Sequence, residues 1–184
     1  MDFDALREYI EKGFSRGVPL GLKKVVFGSS GARNIPEGWS YAEACRQLGD
    51  FLREVVAPLA EKYSVTVVVE PLSRRDSNII NFAREGVMIS AFGCSERIKG
   101  LIDLYHMTAV GDEVENIYAL NGCISHAHIA RPGDRKYPAK SDEYDYKAFI
   151  DALEAVGCDT CSVEGGCDDF DSEAAVTAAV LKSL

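Results

Sequence analysis

The residues able to do chemistry in this chain recur at one kind of place, the downstream end of an apolar run. LIDLYHM, residues 101–107, begins as an apolar strand and then carries Asp103 and His106. VTVVVEPL carries Glu70, CISHAHIARP carries His126 and His128, and TCSVEGG carries Glu164. A carboxylate inside an apolar run is costly to bury without a cation or a hydrogen-bond partner. Taken singly, each is explained by a paired carboxylate at a helix start or a hydrogen-bonded core histidine. Glu70, Asp103, His128 and Glu164 in four successive units are another matter, because three carboxylates and an imidazole brought together repel unless a cation sits among them. Oxygen-rich ligands with one nitrogen suit one divalent ion, Mn²⁺, Mg²⁺ or Co²⁺, with Zn²⁺ as a fourth candidate.

The elements that must position these residues alternate. A helix over 2–17 carries Leu6, Ile10 and Phe14 on one face, and LKKVVFG follows as a first strand. GSSGARNIPEG reads as a glycine-rich turn-forming loop, a tight connection before it is a phosphate cradle. Ser40 with Glu43 forms a capping box for a helix toward Tyr63, and Pro58 is expected to kink or end its last turns. Residues 65–69 are all β-branched, as in a strand buried on both faces. A helix is expected to start near Asn78, and Asp112 to cap another through Asn121. Strands are expected at 98–104, 124–129 and 161–164, with helices over 146–156 and 172–184.

Strand and helix in alternation, with non-alternating apolar strands, predict parallel βαβ units. In barrels and open sheets alike, active sites form at the C-terminal ends of such strands. Five strands are visible, while a closed eight-stranded barrel typically takes about 250 residues. The chain therefore reads as one α/β domain, residues 1–184, either an open sheet or a large part of a barrel.

Composition narrows the partners. The 184 residues carry a formal net charge of −9 and are 47% hydrophobic, enough for one sizeable core. The basic clusters are pairs, Lys23-Lys24 and Arg74-Arg75, so nucleic acid is not expected as a partner. No apolar run reaches membrane-spanning length and the first residues form an acidic amphipathic segment, so a soluble cytoplasmic protein is expected, with no membrane association. The six cysteines are then expected as reduced thiols. Cys158 and Cys161 form a CxxC without a second paired cluster, which favours incidental thiols over a zinc or redox site.

In combination, EPLSRRDSNIIN, DLYHM, HAHIARPGDRKYP and SVEGG, with FGSSGARNIPEG upstream, resemble the xylose isomerase-like sugar isomerase/epimerase family, most closely its D-tagatose/D-psicose 3-epimerase-like members. The resemblance runs from Lys24 to the end of the chain. It implies a (β/α)₈ TIM barrel of which this chain holds strands four to eight, and one metal held by Glu70, Asp103, His128 and Glu164. By the same resemblance Glu70 and Glu164 would be the catalytic acid and base, and His106 and Arg135 would hold substrate oxygens, with Arg131 competing for the arginine role. Asp76 stands where those epimerases place an acidic substrate-binding residue. The implied reaction is isomerisation or epimerisation of a sugar or sugar phosphate by proton abstraction next to a carbonyl, through an enediolate.

Two rival readings accompany this one. A barrel lacking its first three strands can be a catalytically incomplete fragment that binds metal or associates with another chain. Its open sheet edges predict a homo-oligomer meeting over Lys24 to Gly28 or over the inner face of the sheet. A DNA-repair endonuclease of the same barrel family would need more histidines than the three present, and the chain's acidity opposes DNA.

Overall fold

The computed structural model describes residues 1–184. Five strands form one parallel sheet: β1 (Lys24–Phe27), β2 (Thr66–Val69), β3 (Ile98–Asp103), β4 (Ile124–Ile129) and β5 (Cys161–Val163). They lie side by side in chain order, every neighbouring pair parallel. Sequential order with helical connections is how a (β/α) barrel is wound, and the sheet is the curled wall of a partial TIM barrel.

The helices are α1 (Phe3–Gly17), α2 (Ser30–Arg33), α3 (Tyr41–Phe51), α4 (Ala57–Tyr63), α5 (Ala83–Ala91), α6 (Leu104–Ala109), α7 (Tyr146–Ala155) and α8 (Phe170–Leu181). Two apolar clusters attach them to the sheet. Leu48, Phe51, Leu52 and Val55 pack with Val67 and Val69 of β2 and Ile98 of β3. Ile102 of β3 and Ala127 and Ile129 of β4 pack with Phe149, Ala152 and Leu153 of α7. The β-branched run of β2 is thus covered from outside, and Val68 and Val69 are fully buried.

The ends of the sheet are tied together across its concave side. Lys24, the first residue of β1, donates from Nζ to the Ser125 carbonyl in β4, to the Asp159 carboxylate and, at 2.8 Å, to Thr160 Oγ1 just ahead of β5.

Several boundaries differ from the sequence reading. The glycine-rich loop contains the single-turn helix α2. Pro58 does not end its helix: α3 passes through one π-helical segment, Leu52–Val56, into α4. Within it the Ala57 N–H donates to the Leu52 carbonyl, which leaves Pro58 in the first turn of α4, where a missing N–H costs nothing. The helix expected near Asn78 begins only at Ala83. Asn81 Nδ2 instead closes residues 72–82 into a loop by donating to the Leu72 and Ser77 carbonyls, with Ile80 at φ 59°. Asp112 caps no helix of its own. The helix before Asn121 is a seven-residue 3₁₀ helix, Val114–Leu120, preceded by Glu113, and Asp112 accepts instead from the Ala83 N–H (3.1 Å), a free donor in the first turn of α5. Finally, α8 starts two residues earlier than Ser172, at Phe170.

Candidate metal centre

Each of the four acid and imidazole side chains singled out above stands at the C-terminal end of a different strand. Glu70 follows β2, and its N–H donates to the Phe27 carbonyl of β1 (3.2 Å). Asp103 is the last residue of β3 and lies beside His128 of β4 in the parallel register. Glu164 follows β5, its N–H donating to the Ile129 carbonyl (3.1 Å). One ligand atom from each of Glu70, Asp103, His128 and Glu164 lies within 4.8 Å of the other three. The first three residues are buried; Glu164 is 48% exposed and forms the open side of the cluster.

His128 is the hub. Its Nδ1 is 2.8 Å from Glu164 Oε2, 3.0 Å from Glu70 Oε1 and 3.6 Å from Asp103 Oδ2, the last too long for a hydrogen bond. Burial alone would lower the pKa of this imidazole, but attraction to Asp103, Glu164 and Glu70 outweighs burial and raises it to about 11. The hydrogen bond to His128 is also the main cause that holds Glu164 down at about 2, against burial and with help from Arg135.

Asp103 divides its carboxylate. Oδ1 accepts from the His106 N–H (2.9 Å) and caps α6, while Oδ2 is buried with no hydrogen-bond partner. An orphaned carboxylate oxygen facing two more carboxylates and an imidazole is costly for a protein alone, and a divalent cation would satisfy it. The donor set, three carboxylates and one nitrogen, fits such an ion.

The remaining residues surround this group. His106 is buried in the first turn of α6, and its Nδ1 accepts from the Ser73 N–H (3.2 Å), which leaves Nε2 to carry the ring proton. Asp76 Oδ2 accepts from Ser73 Oγ (2.6 Å) and lies 3.7 Å from His106 Nδ1. Arg135 has φ 56°, unusual for a residue with a long side chain, and its Nη2 reaches Glu164 Oε2 at 3.0 Å and Asp103 Oδ2 at 3.7 Å. The guanidinium lies over the Tyr105 ring, 5.2 Å from its centre. Arg131 is engaged elsewhere: its Nε and Nη2 donate to Asp134 (2.9 and 2.6 Å) and its Nη1 to Asp142 (3.0 Å). Of the two competing arginines, Arg135 is the one at the cluster.

His126 does not join the four. Its Nδ1 is 2.8 Å from Thr160 Oγ1 and its Nε2 3.2 Å from Ser162 Oγ. The six cysteines are free thiols, and none belongs to this group. Sequence reading passed over Arg33, which is 4% exposed and donates to the carbonyls of Phe27 (2.9 Å) and Glu70 (2.6 Å). An arginine inside a polar-looking loop gives no signal that it will be buried, and the short helix α2 is what carries it inward.

Comparison with known proteins gives the family and the fold. No curated protein matches the chain. Among solved structures, the 3-keto-D-glucoside 4-epimerase YcjR from E. coli superposes with a TM-score of 0.83 at 21% identity, over 97% of this chain and 70% of that one. An L-ribulose 3-epimerase gives 0.82 at 22% identity, over 96% of this chain and 66% of that one. The IOLI protein with a binding zinc atom gives 0.75 at 22% identity, over 100% of this chain and 70% of that one. The chain thus spans about two thirds of the length of the structures it resembles, and at these identities they show the fold. Residues 3–184 match the family model described as xylose isomerase-like TIM barrel, and with five parallel strands meeting at one acidic, histidine-bearing edge, the chain belongs to that family.

Proposed function

We propose that this protein is a divalent-metal-dependent isomerase or epimerase of a sugar or sugar phosphate. The observation that carries the proposal is the convergence of Glu70, Asp103, His128 and Glu164 within 4.8 Å, with Asp103 Oδ2 buried among them without a hydrogen-bond partner. These four residues would hold the ion, one of Mn²⁺, Mg²⁺, Co²⁺ or Zn²⁺. Bound there, it supplies Lewis acidity toward the negative charge that develops when a proton leaves a carbon next to a carbonyl.

The side chains supply the rest. A carboxylate oxygen of Glu70 or Glu164 takes the proton, and the other glutamate returns it. Return to the opposite face of the same carbon gives an epimer, and return to the neighbouring carbon gives an aldose. His106, with its proton on Nε2, donates to a sugar oxygen, and Asp76 beside it accepts from a sugar hydroxyl. Arg135, held between Glu164 and the Tyr105 ring, binds a further substrate oxygen.

A small-molecule substrate fits a chain of net charge −9 better than nucleic acid does. No helix is long and apolar enough to cross a membrane. We place the protein in the cytoplasm and expect a homo-oligomer, because β1 and β5 are sheet edges without a paired neighbour.

The test is deuterium wash-in. A panel of ketoses and ketose phosphates is incubated with the Mn²⁺-loaded protein in D₂O, and exchange next to the carbonyl is followed by NMR. Exchange that disappears in Glu164→Gln supports the proposal; a metal-loaded protein that exchanges none of them refutes it. Metal binding without turnover is the second reading. The half-exposed Glu164, on the open side of the cluster, favours it, and tight Mn²⁺ binding with no exchange would establish it.

A further inference from the structure

The geometry points to Gly28 as a positioning residue for the metal site: Glu70's carboxylate occupies the volume that any side chain at position 28 would fill. This rests on the reading of Glu70 as a ligand. A Cβ built on Gly28 would lie 1.9 Å from Glu70 Oε2 and 3.1 Å from Glu70 Cδ, with Val26 Cγ1 at 3.3 Å. A Cβ atom essentially never comes within 3.0 Å of another heavy atom outside its own bonded neighbours, so one of the two groups would have to yield. Backbone conformation does not call for glycine here, since Gly28 is not among the residues with positive φ. The severe constraint is the carboxylate; Val26 Cγ1 would have to give by only a few tenths of an ångström.

Glu70 cannot escape by moving its backbone. Its N–H is held by the Phe27 carbonyl (3.2 Å), and its own carbonyl accepts from Arg33 Nη2 (2.6 Å). Arg33 Nη1 donates in turn to the Phe27 carbonyl (2.9 Å), so one buried guanidinium clips the ends of β1 and β2 together next to Gly28. With the backbone fixed, a methyl group at 28 turns the Glu70 side chain away. That withdraws Oε1 from His128 Nδ1, now 3.0 Å distant, and opens the ligand group on its β2 side.

The experiment compares wild type, Gly28→Ala, Glu70→Ala and the double variant with two readouts. The first is the ¹⁵N spectrum of the imidazoles in metal-free protein at one pH, where three histidines are simple to assign. The second is Mn²⁺ affinity by calorimetry. Gly28→Ala is expected to move the His128 signals toward their positions in Glu70→Ala, with His126 and His106 little changed. It is expected to weaken Mn²⁺ about 10- to 100-fold, the usual range for groups that orient a ligand. In the Glu70→Ala background the same substitution should alter neither readout further, because the group it collides with is gone.

Wild-type-like His128 signals in Gly28→Ala would overturn the proposal, and so would an equal added effect in the Glu70→Ala background. If Gly28→Ala does not fold, recovery of the fold in the double variant supports the collision and failure to recover overturns it. If Glu70→Ala binds Mn²⁺ as tightly as wild type, the ligand assignment fails, and the imidazole spectrum still decides whether Gly28 positions Glu70.

Discussion

Metal affinity in this protein should rise steeply with pH, and the slope follows from His128. In the metal-free chain, attraction to three carboxylates outweighs the effect of burial and lifts the imidazole from its ordinary 6.5 to about 11. An ion coordinated at Nδ1 requires the neutral ring, so near neutrality each binding event must expel one proton from His128. Between about pH 6.5 and 8.5 the association constant should gain about tenfold per unit, about 100-fold in all, or about 2.7 kcal/mol. A histidine at the ordinary value would give only about a twofold gain over that span.

The stability of the metal-free protein should move the opposite way. A folded-state value raised above the unfolded one contributes stability that is complete below about pH 6.5. That contribution is lost as pH rises toward 11, so raising the pH weakens the empty fold while it strengthens metal binding. The assay is calorimetric titration with Mn²⁺ in pairs of non-coordinating buffers of different ionisation enthalpy, which counts protons released per ion. Release near one proton with a hundredfold rise in affinity is expected. A flat affinity above about pH 7 with no proton release would refute the account of His128 as the protonated hub of the four-residue cluster.

Other outcomes follow from single side chains. His106→Ala should leave Mn²⁺ affinity nearly intact, because its ring nitrogen Nδ1 faces Ser73 and Asp76 and His106 is not one of the four residues proposed to hold the ion. Substrate affinity should fall about tenfold or more, the cost of one truncated buried hydrogen bond, as read by the KM of the exchanging ketose. Arg135→Met should impair exchange. Arg131→Met should act through stability, releasing Asp134 and Asp142 and lowering the Tm with the KM unchanged. Ser40→Ala, which removes the side-chain acceptor of the Glu43 N–H, should cost about 1 kcal/mol in urea unfolding without effect on metal binding.

What the sequence displays and what it hides divide on physical grounds. The strands are legible because their burial comes from local residue choice, as in the unbroken β-branched run before Glu70. The convergence of Glu70, Asp103, His128 and Glu164 is legible because each follows its own strand, and parallel order alone brings strand ends together. The start of α5 is hidden because its first N–H, that of Ala83, is met from a distance by Asp112. Pro58 misleads for a related reason. Its effect depends on whether the preceding turn widens to a π-turn, as it does here over Leu52–Val56, where Leu52 and Val55 are fully buried. The choice between Arg131 and Arg135 turns on Asp134 and Asp142, which only the folded loop brings to Arg131.

Lys24 has a consequence for how this chain comes together. Its three contacts join residues separated by 101, 135 and 136 positions, while all neighbouring strands in the sheet are nearer in sequence. Closing a loop of that size costs conformational entropy that grows with the logarithm of its length, and no local structure offsets it in advance. The bond therefore belongs to the last stage of folding, after the sheet has curled. Once made, it makes the two outermost strands mutually dependent. Each alone is an edge able to fray, but detaching β1 at Lys24 and lifting the two residues that lead into β5 break the same contacts. The wall then opens as one cooperative unit, so amide protons in β1 and β5 should exchange in the same opening event.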